Sequence, residues 1–149
     1  MNEALREQQD GRYESAARLY RASIVEHPTA EAHTYLGWAY SFMGKIDEAI
    51  EECRRAIQLD PGFGNPYNDI GSYLMKLGRL NEAIDWLEKA KNAPRYLPRH
   101  YPYLNLARLY VRLGRFEEAS REFTQARFIH QTLFQSDTAA GSGSIESVN

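Results

Sequence analysis

The segment MGKIDEA, residues 43–49, is written almost unchanged three more times, as DGRYESA at 10–16, LGRLNEA at 77–83 and LGRFEEA at 113–119. Each copy runs glycine, base, bulky apolar residue, one or two acids or polar stand-ins, then alanine. The glycines Gly11, Gly44, Gly78 and Gly114 are 33, 34 and 36 residues apart, a period in the range of helical solenoid repeats. Between successive glycines lie two segments with apolar residues at helical spacing. Each unit therefore reads as helix, glycine turn, helix.

The phrase has a physical reading. Glycine takes a turn conformation that other residues resist. The bulky Tyr13, Ile46, Leu80 and Phe116 are expected to anchor the next helix in the core. Glu14, Asp47, Glu82 and Glu117 place negative charge where the helix dipole favours it. Small residues repeat in the same register: Ala16, Ala49, Ala83 and Ala119 open the second helices, and Ser23, Ala56, Ala90 and Ala126 follow seven residues later. First helices carry Ala4, Gly37, Gly71 and Ala107, so helix axes can approach closely. Tyr20, Cys53, Leu87 and Phe123 are the large partners expected to fill the remaining space.

In this register the chain resembles the tetratricopeptide repeat family. The order His33-x2-Leu36-Gly37-x2-Tyr40 with Ala49-x3-Cys53, Ala56 and Pro61 follows the family pattern. So do Tyr67-x2-Ile70-Gly71-x2-Leu74 with Ala83-x3-Leu87 and Ala90, and Tyr103-x2-Leu106-Ala107-x2-Tyr110 with Ala119-x3-Phe123 and Ala126. The resemblance covers about residues 1 to 130 and implies an all-α, right-handed helical solenoid of antiparallel helix pairs, three full repeats behind a short leading one.

The expected organisation is a short first repeat at 1–29, a repeat at 30–63, a repeat at 64–99, a repeat with an extended last helix at 100–135, and a flexible Gly/Ser-rich tail at 136–149. The repeat at 64–99 carries a two-residue insertion whose three prolines, in NAPRYLPRHYP, break helix and force an extended connector. At the other end Phe128, Ile129, Leu133 and Phe134 prolong the apolar character of the final helix. These residues either fold over their own core or form an assembly edge for another subunit.

Composition limits the functional classes. A hydrophobic fraction of 43% and a charged fraction of 26% over 149 residues are those of a globular chain. A net charge of -2 gives no global footprint for nucleic acid or an anionic membrane. The N-terminus lacks the apolar core of a signal peptide, and no run reaches membrane-spanning length. The single cysteine, Cys53, can form no intramolecular disulfide and fits a cytoplasmic location. No metal-ligand spacing, nucleophile elbow or phosphate loop occurs, so no enzymatic activity, metal or cofactor is expected. His33 reads as a packing residue, Cys53 as a small buried hydrophobe, and Glu51-Glu52 as a solvated face.

What remains is recognition. The resemblance implies that first helices line the binding groove. It places Tyr35, Trp38 and Phe42 on one wall, Asn68, Asp69 and Lys76 in the middle, and Tyr101, Asn105, Arg108 and Arg112 on the far wall. The expected function is a non-catalytic protein-protein interaction module holding a neutral-to-acidic peptide or partner segment in that groove. The alternatives are an end-to-end self-assembly scaffold and, remotely, a single-stranded nucleic-acid binder using Arg108, Arg112, Arg115 and Arg121. The bases that other family members use to clamp a terminal carboxylate are missing, and Asp69 would repel one.

Overall fold

The computed structural model describes residues 2–96 and 98–141. Among them lie eight α-helices and no strand, only an isolated bridge between Phe63 and Arg95. The chain divides into two compact units, residues 1–97 and 98–149.

The first unit holds α1 (Asn2–Gln9), α2 (Tyr13–Glu26), α3 (Ala30–Phe42), α4 (Ile46–Leu59), α5 (Asn65–Lys76) and α6 (Leu80–Asn92). Helices adjacent in sequence pack together, and α3 also meets α5. The small residues do what their register implies. Ala16, Ala49, Ala83, Ala56 and Ala90 are buried, and a Cβ on Gly37 would stand 2.9 Å from the Ala49 carbonyl oxygen. Only a hydrogen at that position lets α3 and α4 approach so closely.

The repeated phrase is a helix C-cap followed by a helix start. After α3, the Gly44 N–H donates to the Ser41 carbonyl at 3.2 Å and the Lys45 N–H to the Tyr40 carbonyl at 2.9 Å. This is the Schellman pattern, which satisfies carbonyls a helix end otherwise leaves unpaired. It holds Gly44 at φ +77, a left-handed conformation that costs other L-residues about 1–2 kcal/mol. The same pair of bonds closes α1, α5 and α7. The base after glycine also has a purpose that its sequence did not disclose: it ties the turn to a neighbouring helix, back onto the one it ends at Arg12 and Lys45 and forward at Arg79, which pairs with Glu82 of α6 at 2.6 Å. Arg12 pairs with Glu7 at 2.6 Å, and Lys45 lies 5.9 Å from the centre of the Tyr40 ring.

The proline-bearing connector is clasped to the preceding inter-repeat loop. The Arg95 N–H donates to the Gly62 carbonyl and the Gly64 N–H to the Arg95 carbonyl, at 3.0 and 2.8 Å. The Arg95 guanidinium lies over Phe63 and bridges Asp60 and Glu31, while Tyr96 is buried against Gly64.

The second unit pairs α7 (Tyr101–Arg112) with α8 (Phe116–Gly141). Leu106, Ala107, Leu109, Ala119 and Ala126 form its buried contact. Helix α8 continues past Gln135 to Gly141 because the intervening Ser, Asp, Thr and Ala residues contain no glycine or proline to stop it. Two expectations are corrected here. Phe116, read as a core anchor, is 67% exposed, and Phe123, read as space-filling, is also exposed. The reason is visible in the first unit, where the equivalent Tyr13 stacks on Phe42 of the next first helix at 4.7 Å. These positions are covered by a following repeat, and none follows α8 among the described residues.

Candidate functional site

In the first unit the candidate site is built on α3 and α5. Thr29 caps α3, its hydroxyl accepting from the Ala32 N–H at 3.1 Å, and Pro66 starts α5 in the first turn, where proline is tolerated. Along α3 the aromatic residues form a graded series. Tyr35 is half-buried and stacks on Tyr20 of α2 at 5.7 Å, so it ties one repeat to the next. Trp38 and Phe42 are 45% and 50% exposed, 5.8 Å apart between ring centres. Phe42 is held from behind by Tyr13, and the Ser41 hydroxyl donates to the Trp38 carbonyl at 2.7 Å. The outcome is a pair of large apolar rings, fixed in place and open on one side.

On α5 the expected residues separate. Asn68 is buried rather than open, since its position faces the packed side of the helix. Asp69 is half-buried, and its removal from water pushes the carboxyl up to about 7, with Lys76 pulling the other way. Lys76 is exposed and lies 5.7 Å from the centre of the Tyr73 ring. Glu31, at the start of α3, is held by Arg95. In the second unit α7 presents Tyr101, tilted against His100 at 4.5 Å, together with exposed Arg108 and Arg112 and half-buried Asn105.

Two other features differ from the sequence reading. Glu52 is not on a solvated face: it is 6% exposed, accepts from His33 Nδ1 at 2.7 Å, and is held on its other oxygen by Arg55 at 2.7 Å. His33 is thus buried as expected, but as one end of a polar bridge between α3 and α4. A histidine at a position the repeat pattern gives to a large apolar residue, with an acid at the facing position of the next helix, was the available signal. The assembly-edge residues lie on α8, with Phe128 67% exposed, Ile129 and Leu133 half-buried, and the Phe134 side chain outside the described residues. Phe128 therefore does not fold over the core of its unit.

For chemistry the described residues offer little. They contain no group of three or more His, Cys, Asp and Glu side chains able to hold a metal, and no helix long and apolar enough to cross a membrane. Burial pushes the Cys53 thiol well above its usual range, the opposite of what a reactive thiolate needs. Arg115, one of the bases considered for nucleic acid, is tied to Glu118 and lies over the Tyr110 ring.

Two profiles, both described as tetratricopeptide repeat, match residues 30–63 and 63–131. The small glutamine-rich tetratricopeptide repeat-containing protein 2 of Mycosarcoma maydis is 31% identical over 78 residues, 52% of this chain and 22% of its own length. Mouse sperm-associated antigen 1 is 32% identical over 79 residues, 53% of this chain and 9% of its own length. The chain thus spans less than a quarter of either relative. Among solved structures, pilF of Pseudomonas aeruginosa superposes with a TM-score of 0.80 at 24% identity, covering 87% of this chain and 59% of that one. A thermophilic TPR protein of Thermus thermophilus superposes with a TM-score of 0.76 at 22% identity, covering 88% and 73%. At such identities these two likenesses establish the fold, an all-α solenoid of helix pairs.

Proposed function

The chain belongs to the tetratricopeptide repeat family of protein-interaction modules, and from that premise we propose that it is non-catalytic and captures an extended partner segment on its first helices. The observation that carries this reading is the exposed pair Trp38 and Phe42 on α3, held by Tyr13 and flanked by Tyr35. Large rings fixed before the partner arrives lose little freedom on binding, which is why aromatic anchors dominate interface energetics. On α5, Asp69 and Lys76 supply polar positions. On α7, Tyr101, Asn105, Arg108 and Arg112 supply a second set of positions.

The test is affinity for peptides selected on the protein from a displayed random library. Trp38→Ala is expected to weaken binding by about 2 kcal/mol, roughly 30-fold, with unchanged helical circular dichroism. Unchanged affinity would exclude the α3 face as the binding surface, and loss of helicity would make Trp38 a core residue.

A second reading, assembly through the ends, is favoured by one observation: Phe116 and Phe128 on α8 are each 67% exposed. A head-to-tail contact there would give filaments and a self-complementary one a dimer.

A further inference from the structure

The repeat at 64–99 departs from the repeat before it at two places, and both departures meet in one cleft. In the earlier repeat, buried His33 on α3 is bonded to Glu52 on α4 at 2.7 Å. In register, one repeat later, those two positions are Tyr67 on α5 and Trp86 on α6, whose ring centres lie 6.1 Å apart with the planes tilted by 39°. A polar bridge between paired helices has become an aromatic pair, each ring half-buried. The second departure is the inserted connector. Its Ala93 and Pro94 join Ile57, Pro61 and the two rings in lining a cleft of about 560 Å³, in the size range of ligand clefts. None of these residues belongs to the set assigned above to partner capture.

The cleft is formed before anything enters it. The Tyr67 hydroxyl donates to the Pro61 carbonyl at 2.9 Å and the Asn92 side-chain amide to the Glu88 carbonyl at 3.0 Å. The backbone bonds between residues 62–64 and Arg95 hold the two proline-bearing loops together. Walls of rings and prolines lose little freedom when they are covered. Charge is distributed around the cleft in a particular way. Arg54 of α4 and Lys89 of α6 converge on the Trp86 indole, their charged groups 5.4 and 4.6 Å from its centre. Both side chains are exposed. The other bases on these helices are held by acids, Arg55 by Glu52 at 2.7 Å and Lys91 by Glu88 at 3.2 Å. Glu88, the one acid in the cleft lining, is thereby already engaged. Among the described residues Arg54 and Lys89 have no carboxylate at ion-pair distance, and the exposed Asp85, one turn before Lys89, does not pair with it. Contact with an aromatic face positions a cation without cancelling its charge.

We propose that this cleft is a second binding site, for an acidic peptide segment: a large apolar side chain of the segment fills the cleft while Asp or Glu residues beside it pair with Arg54 and Lys89. The apolar walls select the anchor, and the two positioned cations select the charge next to it. A carboxylate reaches the exposed ammonium and guanidinium groups without displacing them from the indole. A basic segment meets like charge, and a proline seeking the indole face has to remove both cations first. A free anion or a nucleic-acid backbone would use the cations and leave Ile57, Pro61 and Pro94 uncovered. The site gives the connector a use beyond joining repeats, and it stands independently of the α3 face.

The chain has two tryptophans, Trp38 and Trp86, so Trp38→Ala removes the proposed anchor on α3 and leaves Trp86 as the sole indole. Trp38→Phe, which keeps a ring there, gives the same single-indole readout if Trp38→Ala does not fold. Phage-displayed random dodecapeptides are selected on this full-length variant. Enriched peptides are expected to carry Asp or Glu next to a large apolar side chain, and a synthetic copy should shift the Trp86 emission and bind wild type equally well. Replacing its apolar anchor by alanine should weaken binding about tenfold or more. The double variant Arg54→Glu, Lys89→Glu, altered only at exposed side chains, should weaken binding about tenfold, and changing the acids of the peptide to lysine should restore it. No enriched peptide, peptides that leave the Trp86 emission unchanged, or peptides whose affinity survives the charge reversal would overturn the proposal. A single-stranded oligonucleotide that displaces the peptide at equal concentration would also overturn it, by assigning the cations to an anion of another class. None of these outcomes bears on the α3 reading, which is tested on peptides that require Trp38.

Discussion

Neighbouring residues of the same type can have opposite fates when only one of them faces another helix. Glu51 and Glu52 are adjacent acids on α4, yet Glu51 is exposed and Glu52 is enclosed by His33 and Arg55. Removing the buried carboxylate leaves buried His33 without its acceptor, so Glu52→Ala is expected to cost about 2 kcal/mol in urea unfolding. Glu51→Ala should stay within about 0.5 kcal/mol of wild type. Asp69 gives a prediction in pH. Its carboxyl is raised to about 7 in the fold, with Lys76 and Tyr73 on α5 and Cys53 on α4 as the charged or titratable groups around it. A raised carboxyl favours the fold when protonated, so this contribution is complete at low pH and is lost as pH rises through 7. Asp69→Asn should therefore raise the melting temperature by about 3 °C at pH 8 and change it little at pH 3, where the carboxyl is protonated in the folded and unfolded chain alike. An equal shift at both pH values would show that the carboxylate is not desolvated.

At the scale of the element, the units are held by what happens between helices. The glycine turn ends one helix and aims the next, and the base behind it is fixed on the helix just finished at Arg12 and Lys45 and on the next one at Arg79. The clasp at residues 62–64 and 93–96 plays a comparable part for the longer connector. Its steric half outweighs its ionic half. A Cβ at position 64 would fall 2.5 Å from the Tyr96 ring, so Gly64→Ala must displace a buried aromatic side chain and is expected to cost about 2 kcal/mol. Arg95→Ala removes exposed ion pairs, which contribute little individually, and should destabilise less than Gly64→Ala. In hydrogen exchange both variants should accelerate the Gly64 and Arg95 amides, which donate across the clasp, before any amide within α3.

At the scale of the whole molecule, the chain divides into two units, and the exposed apolar residues of α8 belong to the second. The assembly reading makes its prediction here. Light scattering after size exclusion should give a mass that climbs with concentration above 17.2 kDa, and Phe128→Lys should hold it at the monomer value. A mass independent of concentration in the wild type would end that reading and leave peptide capture on α3 and α5 alone. The chain spans only a small part of its curated relatives.

The sequence by itself determined the period, the helix pairs, the glycine turns and the family, because these depend on local chemistry that recurs at a fixed spacing. Gly44 needs its left-handed turn whatever surrounds it, and an alanine every seven residues marks a close helix contact in any repeat. Tertiary structure decided which of two similar residues faces water. It buried Glu52 and not Glu51, enclosed Asn68 and exposed Phe116. Those outcomes depend on what the neighbouring helix presents at the same height. That is a relation between residues some thirty positions apart, and no single stretch of sequence contains it.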